Sequence, residues 1–166
     1  IGLSTHLTTP PPSLPQMLLK RNPPYLLSDM ADDAVGLLDA LGIGRAHVVG
    51  LSMGGMIAQL VAATYPERVL SLTSIMASSG NLRVSRGKPA AMRTLLSRPD
   101  PHDLDAVVDH FVAVFGVIGS PGYASDPLQL RSLCERVARR GYYPAGTARQ
   151  LLAILAAGDR RADLAR

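Results

Sequence analysis

Tryptophan is absent, aromatic residues make up only 4% of the chain, and there is a single cysteine, Cys134. One cysteine excludes an internal disulfide and fits a reducing compartment. Leu133-Cys134 falls on the apolar side of a helical pattern, so the thiol is expected to be buried and structural. No uncharged apolar run reaches the roughly 18 residues that a membrane-spanning helix needs, so no membrane partner is expected. The chain opens on Ile1 without a basic-then-apolar leader. No targeting segment is legible, the expected location is the cytoplasm, and further residues ahead of Ile1 are expected. His, Cys, Asp and Glu nowhere cluster at metal-ligand spacing, so neither a metal nor an organic cofactor is expected.

What is present suits a soluble globular protein: 166 residues, 47% of them hydrophobic, with a net charge of +4. The charge is uneven, four basic against five acidic side chains in residues 1–78 and thirteen against eight in residues 79–166. A nucleic-acid partner would require a clustered basic face with interleaved aromatics, and the arginines here are scattered. No nucleic-acid partner is therefore expected, and the densest groups, Arg136-Arg139-Arg140 and Arg160-Arg161, are expected on solvated helix faces.

The most informative stretch is Gly50-Leu51-Ser52-Met53-Gly54-Gly55, preceded by the apolar run Ala46-His47-Val48-Val49 and followed by another from Met56 to Ala63. It reads as strand, sharp turn, helix. As a bare pattern G-x-S-x-G is weak, but at a strand-to-helix turn it is the nucleophile elbow. Ser52 must sit on a turn so tight that its hydroxyl projects above the sheet, and side chains at Gly50 and Gly54 are expected to collide there. The helix that follows points its first amides at the site, so the Met53 N–H is placed to donate to a developing oxyanion.

On either side the pattern alternates helix and strand. Ser28 is a candidate cap for a helix whose first turns carry Asp29, Asp32 and Asp33, with Met30, Ala34, Leu37, Leu38 and Leu41 on one face. Gly42 supplies a left-handed stop and Ile43 closes the cap. His47 is expected to pack a helix against the sheet. Val69 to Met76 reads as the next strand, and the short links imply parallel pairing. Ligands in such sheets bind beyond the carboxyl ends of the strands, which makes Ser79 and Asn81 candidates for lining a substrate pocket.

Residues 1–24 hold Pro10-Pro11-Pro12, Pro15 and Pro23-Pro24 and read mostly as loop, with His6 as polar surface. From residue 82 the pattern is purely helical. Pro89 opens one helix and Asp100-Pro101 a second, with a stripe of Leu104, Val107, Val108, Phe111, Val112, Phe115 and Ile118. Asp126-Pro127 opens a third, burying Leu130, Leu133, Cys134 and Val137 and ending at Gly141, and a fourth runs from about Ala148 to Ala157. His110 adjoins Asp109, but neighbours on a helix do not face each other, so the two form no dyad.

The run from Tyr25 to Ser79, with Leu27-Ser28-Asp29-Met30-Ala31-Asp32-Asp33, then Val48 to Ala58 and Tyr65-Pro66-Glu67-Arg68-Val69, resembles an α/β-hydrolase. Within that superfamily it is most similar to esterases typified by aclacinomycin methylesterase. The resemblance implies an α/β fold: a partial α/β-hydrolase parallel sheet with the elbow over residues 1–78, a helical cap over 79–160, and a return toward the core over 161–166. It implies a small-molecule ester substrate, with Ser52 as nucleophile, Met53 as an oxyanion donor, and a cap whose inner face, with Tyr142 and Tyr143, sets substrate choice. It also implies that Gly2-Leu3-Ser4 lies near the active-site mouth.

A serine hydroxyl needs a base, and the base needs an acid to hold its tautomer. In this fold the acid and the base follow the cap, and the second oxyanion donor precedes the elbow. Neither the acid, the base nor that second donor is expected within this chain, which alone is expected to be inactive. The alternative from another class is a non-catalytic binding module, or a truncated product, that retains Ser52 without its partners.

Overall fold

A computed structural model describes residues 5–81, 83, 87–123 and 125–165, so Gly2, Leu3 and Ser4 lie outside the described residues. The chain groups into two compact units, Pro11–Arg86 with Ala148–Arg166, and Ile1–Pro10 with Gly87–Thr147. Among the described residues no helix is long and apolar enough to cross a membrane.

The first unit is built on a parallel strand pair. β1 (Ala46–Leu51) pairs with β2 (Val69–Ile75) in the register Val49↔Thr73, Gly50↔Ser74, Leu51↔Ile75, and α3 (Met53–Thr64) connects them. The short link from Ser52 and the single 3₁₀ turn Pro66–Arg68 leave parallel pairing as the only outcome. Before β1 runs α2 (Leu27–Ala40), whose Ala31 and Val35 pack with Val61 of α3 to form this unit's core. Around that cluster lie Ala34, Val48, Ile57, Leu60, Tyr65 and Val69.

Gly42 does stop α2 with a left-handed backbone, φ 66°, and the Ile43 amide bonds the Leu38 carbonyl at 2.8 Å. The start differs from expectation. Ser28 is inside the helix, Leu26 is the capping position, and the Asp29 carboxylate accepts the Leu26 N–H at 2.8 Å. An acidic side chain three residues in closes the turn that a serine hydroxyl was expected to close. Arg68 then fixes the entry to β1, donating to the carbonyls of Gly44 and Ile43 and pairing with Asp39 at 2.7 Å.

The strands are less covered than their apolar composition suggests. Val49 is 66% exposed, Leu51 56% and Leu70 49%, because helices within this unit reach only part of the sheet. His47 is also exposed. It meets the Ser71 hydroxyl at 2.7 Å across the strand pair, so it does not pack a helix as expected. Two short helices were not legible in the pattern. α1 (Leu14–Leu19) forms among the prolines because Pro15 falls in its first turn, where no amide is needed, and α8 (Arg161–Leu164) lies near the end of the described chain.

The other unit holds α4 (Pro89–Leu96), α5 (Leu104–Ile118), α6 (Pro127–Arg140) and the first turn of α7 (Pro144–Ala156). Its core is Val107, Val108, Cys134 and Ala138, with Leu104, Phe111, Val112, Leu130 and Tyr142 against it. Burial raises the Cys134 thiol pKa, as suits a structural cysteine. Asp126 caps α6 through Leu128 and Gln129 as its Asp-Pro start predicts, but Asp100-Pro101 does not open α5. Asp103 caps that helix by accepting from Ala106, while Asp100 holds a turn onto His102. The expected apolar faces are narrower too: Phe115, Leu133 and Val137 are each more than two-fifths exposed.

Candidate active site

β1 ends at Leu51, α3 begins at Met53, and Ser52 alone makes the turn, at φ 54° and ψ −120°. A non-glycine residue there is strained by about 1–3 kcal/mol and persists only where its surroundings hold it. They do so through the backbone: the Ser52 amide donates to the Ile75 carbonyl at 2.8 Å, and its carbonyl accepts from Met56 at 3.1 Å. Ser52 therefore belongs to the sheet on one side and to the helix on the other. It occupies the capping position of α3, where serine is favoured, yet its side chain makes no capping bond and the residue is exposed. The hydroxyl is left out of the helix's own hydrogen bonding.

The tightness of the turn is explicit at two glycines. A Cβ on Gly50 would lie 2.2 Å from the Gly54 carbonyl oxygen and 2.6 Å from the Gly55 nitrogen, both backbone atoms. At Gly55 it would lie 2.7 Å from the Ala77 Cβ and 3.0 Å from the Gly50 oxygen. Gly54, expected to be crowded, is open: a Cβ there would meet nothing within 4 Å. The close approach that the motif demands thus rests on Gly50 and Gly55. With Gly55 buried against Ala77, the first turn of α3 lies against the chain leaving β2. The Met53 N–H belongs to that first turn, whose amides have no intrahelical acceptor.

The residues after β2 are held in the same unit. Asn81 turns its side-chain carbonyl onto the Arg83 amide at 3.0 Å. Ser79 gives its backbone carbonyl to the Arg160 amide at 2.7 Å. Tyr142 and Tyr143 belong to the other unit, on the link between α6 and α7. Tyr142 sets its ring edge-on to Phe111 at 5.8 Å, and burial raises its pKa. Tyr143 stacks on His6 at 4.1 Å and donates its hydroxyl to the Leu7 carbonyl at 3.2 Å. Asp109 pairs with Arg131 and His110 meets Ser97 at 3.3 Å, so the adjacent Asp and His do engage different neighbours. Among the described residues no group of three or more His, Cys, Asp or Glu could hold a metal ion.

One residue at this end of the sheet departs from what its sequence context predicts. Arg160, expected on a solvated face, is only 4% exposed. Its guanidinium donates to the Ser78 carbonyl at 2.7 Å and reaches the Gln59 side-chain oxygen and the Gly158 carbonyl at 3.4 Å. Burial lowers its pKa, partly opposed by Asp159. Local spacing does not separate it from Arg161, which pairs with Asp159 at 2.8 Å at the surface. The distinction comes from a loop 82 residues earlier in the chain.

A family model described as alpha/beta hydrolase fold matches residues 5–116. Rhodomycin D methylesterase DauP of Streptomyces sp. (strain C5) is 39% identical over 70 residues, covering 42% of this chain and 24% of the relative. Rhodomycin D methylesterase DnrP of Streptomyces peucetius is 30% identical over 105 residues, covering 63% of this chain and 34% of the relative. The chain thus spans about a quarter to a third of the length of these curated relatives. Among solved structures, a hydrolase from Pseudomonas aeruginosa PA01 superposes with a TM-score of 0.51 at 23% identity, over 83% of this chain and 49% of that one. The meta-cleavage product hydrolase of Pseudomonas fluorescens IP01 does so at 0.53 and 20% identity, over 78% of this chain and 42% of that one.

Proposed function

The chain belongs to the α/β-hydrolase fold family, and from that premise we propose that it is the nucleophile-bearing part of a serine hydrolase that cleaves a carboxylic ester. The observation that carries the proposal is Ser52 itself, held at φ 54° between strand and helix with its side chain free of any capping bond. Strain of this kind is tolerated where it aims a reacting group.

In the proposed reaction the Ser52 Oγ adds to the ester carbonyl as its proton passes to a base. The resulting oxyanion is met by the Met53 N–H and a second donor. Collapse of the tetrahedral intermediate expels the alcohol, which takes back the proton, and leaves an acyl group on Ser52. Water then attacks that acyl group with the same base, and the carboxylic acid departs. The acid, the base and the second donor are proposed to come from parts of the full-length protein outside this chain. The short span against the methylesterases supports that reading. The strand side chains left open on β1 and β2 support it as well. The two methylesterases favour a methyl ester on a bulky secondary metabolite as substrate. Asn81, Tyr142 and Tyr143 are the proposed substrate-binding residues, and alanine at each should raise KM for a bulky ester more than for a small one.

The test is pre-steady-state hydrolysis by the full-length protein, with an activated ester and a panel of methyl esters. The expected result is a burst of alcohol equal to the enzyme present, an acyl mass increment on the peptide holding Ser52, and loss of both in Ser52→Ala. Turnover that survives Ser52→Ala would refute the proposal.

A further inference from the structure

The chain leaving β2 is gripped from two sides, and Arg160 supplies one of them. Ala77 lies against Gly55 in the first turn of α3, where a Cβ on Gly55 would come within 2.7 Å of it. Next along, the Ser78 carbonyl accepts from the Arg160 guanidinium and the Ser79 carbonyl from the Arg160 amide, both at 2.7 Å. Gly80 completes the grip. It has φ 87°, and a Cβ there would lie 1.8 Å from the Gly158 carbonyl oxygen, so the segments 78–80 and 158–160 touch backbone to backbone. The guanidinium is anchored from behind by Gln59 of α3, whose side-chain amide donates to Ser74 at 3.0 Å, while the Ser74 hydroxyl donates to the Gly55 carbonyl at 3.3 Å.

This is a costly way to hold a loop. Arg160 is 4% exposed, its Nε has no hydrogen-bond partner, and the adjacent carboxylate, Asp159, bonds Arg161. A buried cation held by neutral carbonyls contributes little to stability that an apolar side chain of the same size would not. What the fork does offer is geometry, because a planar guanidinium fixes its acceptors in direction as well as distance. The acceptors it fixes lie just past the carboxyl end of β2, the strand whose Ile75 carbonyl holds the Ser52 amide. That is the end of a parallel sheet at which ligands bind.

We propose that Arg160 is a positioning residue, a clamp that sets segment 77–80 as a wall of the substrate site beside Ser52. The inference rests on the serine-hydrolase reading above and adds to it a residue that touches neither substrate nor nucleophile. Its role is in accepting a bulky substrate, not in activating Ser52, so the two can be separated kinetically.

The experiment uses the full-length protein with sites counted by a small fluorophosphonate. In Arg160→Ala, kcat/KM per labelled site for a bulky methyl ester is expected to fall at least about ten-fold, mostly through KM, as for a wall displaced by a fraction of an ångström. The labelling rate constant of Ser52 should stay within about three-fold of wild type, since the small probe does not use that wall. Millimolar guanidinium ion should restore part of the loss in Arg160→Ala and nothing in wild type. A purely structural role would lower the number of labelled sites and leave kcat/KM per site unchanged, which overturns the proposal. Parallel loss of labelling rate and turnover overturns it as well. If Arg160→Ala does not fold, Arg160→Lys and Gly80→Ala decide by the same two readouts, the latter by pushing the loop off Gly158. A wild-type protein that does not label at all removes the serine-hydrolase reading, and this inference falls with it.

Discussion

Gly50→Ala and Gly54→Ala look equivalent in the motif and are expected to behave oppositely. At Gly50 the added methyl would sit 2.2 Å from the Gly54 oxygen and 2.4 Å from its carbonyl carbon, against an ordinary contact of 3.4–4 Å. Both obstacles are backbone at the start of α3, so no side chain can swing aside and the turn must open by about 1 Å. Overpacking of this kind costs about 1–3 kcal/mol, and meeting backbone places it near the upper limit. Displacing a nucleophile by about 1 Å costs on the order of a hundred-fold in rate. At Gly54 the methyl meets nothing within 4 Å, and the residue lies in the first turn of α3. Alanine there should leave the rate within about three-fold and add up to about 1 kcal/mol of stability, from the difference in helix propensity. The assay is the second-order rate of fluorophosphonate labelling at Ser52 in the full-length protein, beside its urea unfolding curve. Equal damage from both substitutions, or a Gly50→Ala protein as reactive as wild type, would refute the reasoning.

Further expectations concern the two units separately. Asp126→Ala removes the carboxylate that accepts from Leu128 at 2.8 Å and Gln129 at 3.1 Å, and should lower stability by about 1 kcal/mol on urea unfolding. The Cys134 thiol, buried with a raised pKa, should react with a disulfide reagent only after denaturant is added. The Tyr65 hydroxyl donates to Asp32 at 2.7 Å, and that bond, with burial and the Asp32 and Glu67 charges, raises the Tyr65 pKa. A raised acid pKa in the folded state stabilises at pH values below the unfolded value of about 10 and is lost as pH climbs through the folded value. The Tm difference between wild type and Tyr65→Phe should therefore be flat near neutrality and shrink above about pH 10.

What was legible in the sequence was whatever is decided locally. The elbow depends on a turn too tight for a side chain, and Gly50 and Ser52 carry that requirement within three residues. The stop at Gly42 and Ile43 and the start at Asp126-Pro127 are local in the same sense. Local rules failed where two candidates lay close together. Asp100-Pro101 matches a helix start as well as Asp103 does, yet the helix that packs Val107 and Val108 against Cys134 begins at Leu104 with Asp103 as its cap. Gly54 and Gly55 likewise exchange roles because the neighbour that crowds one of them, Ala77, arrives from beyond β2. Arg160 is the extreme case. Its burial is set by Gln59 and Ser78, which the fold brings from far back in the chain. An arginine beside an aspartate and a second arginine carries no local mark of that.

The most direct measurement is the intact mass of the full-length protein after reaction with a fluorophosphonate, with peptide mapping and Ser52→Ala alongside. One phosphonyl group per molecule, on the peptide holding Ser52 and absent from Ser52→Ala, is the expected result. A folded full-length protein that takes up no label, or takes it up at another residue, would contradict the assignment of Ser52 as nucleophile.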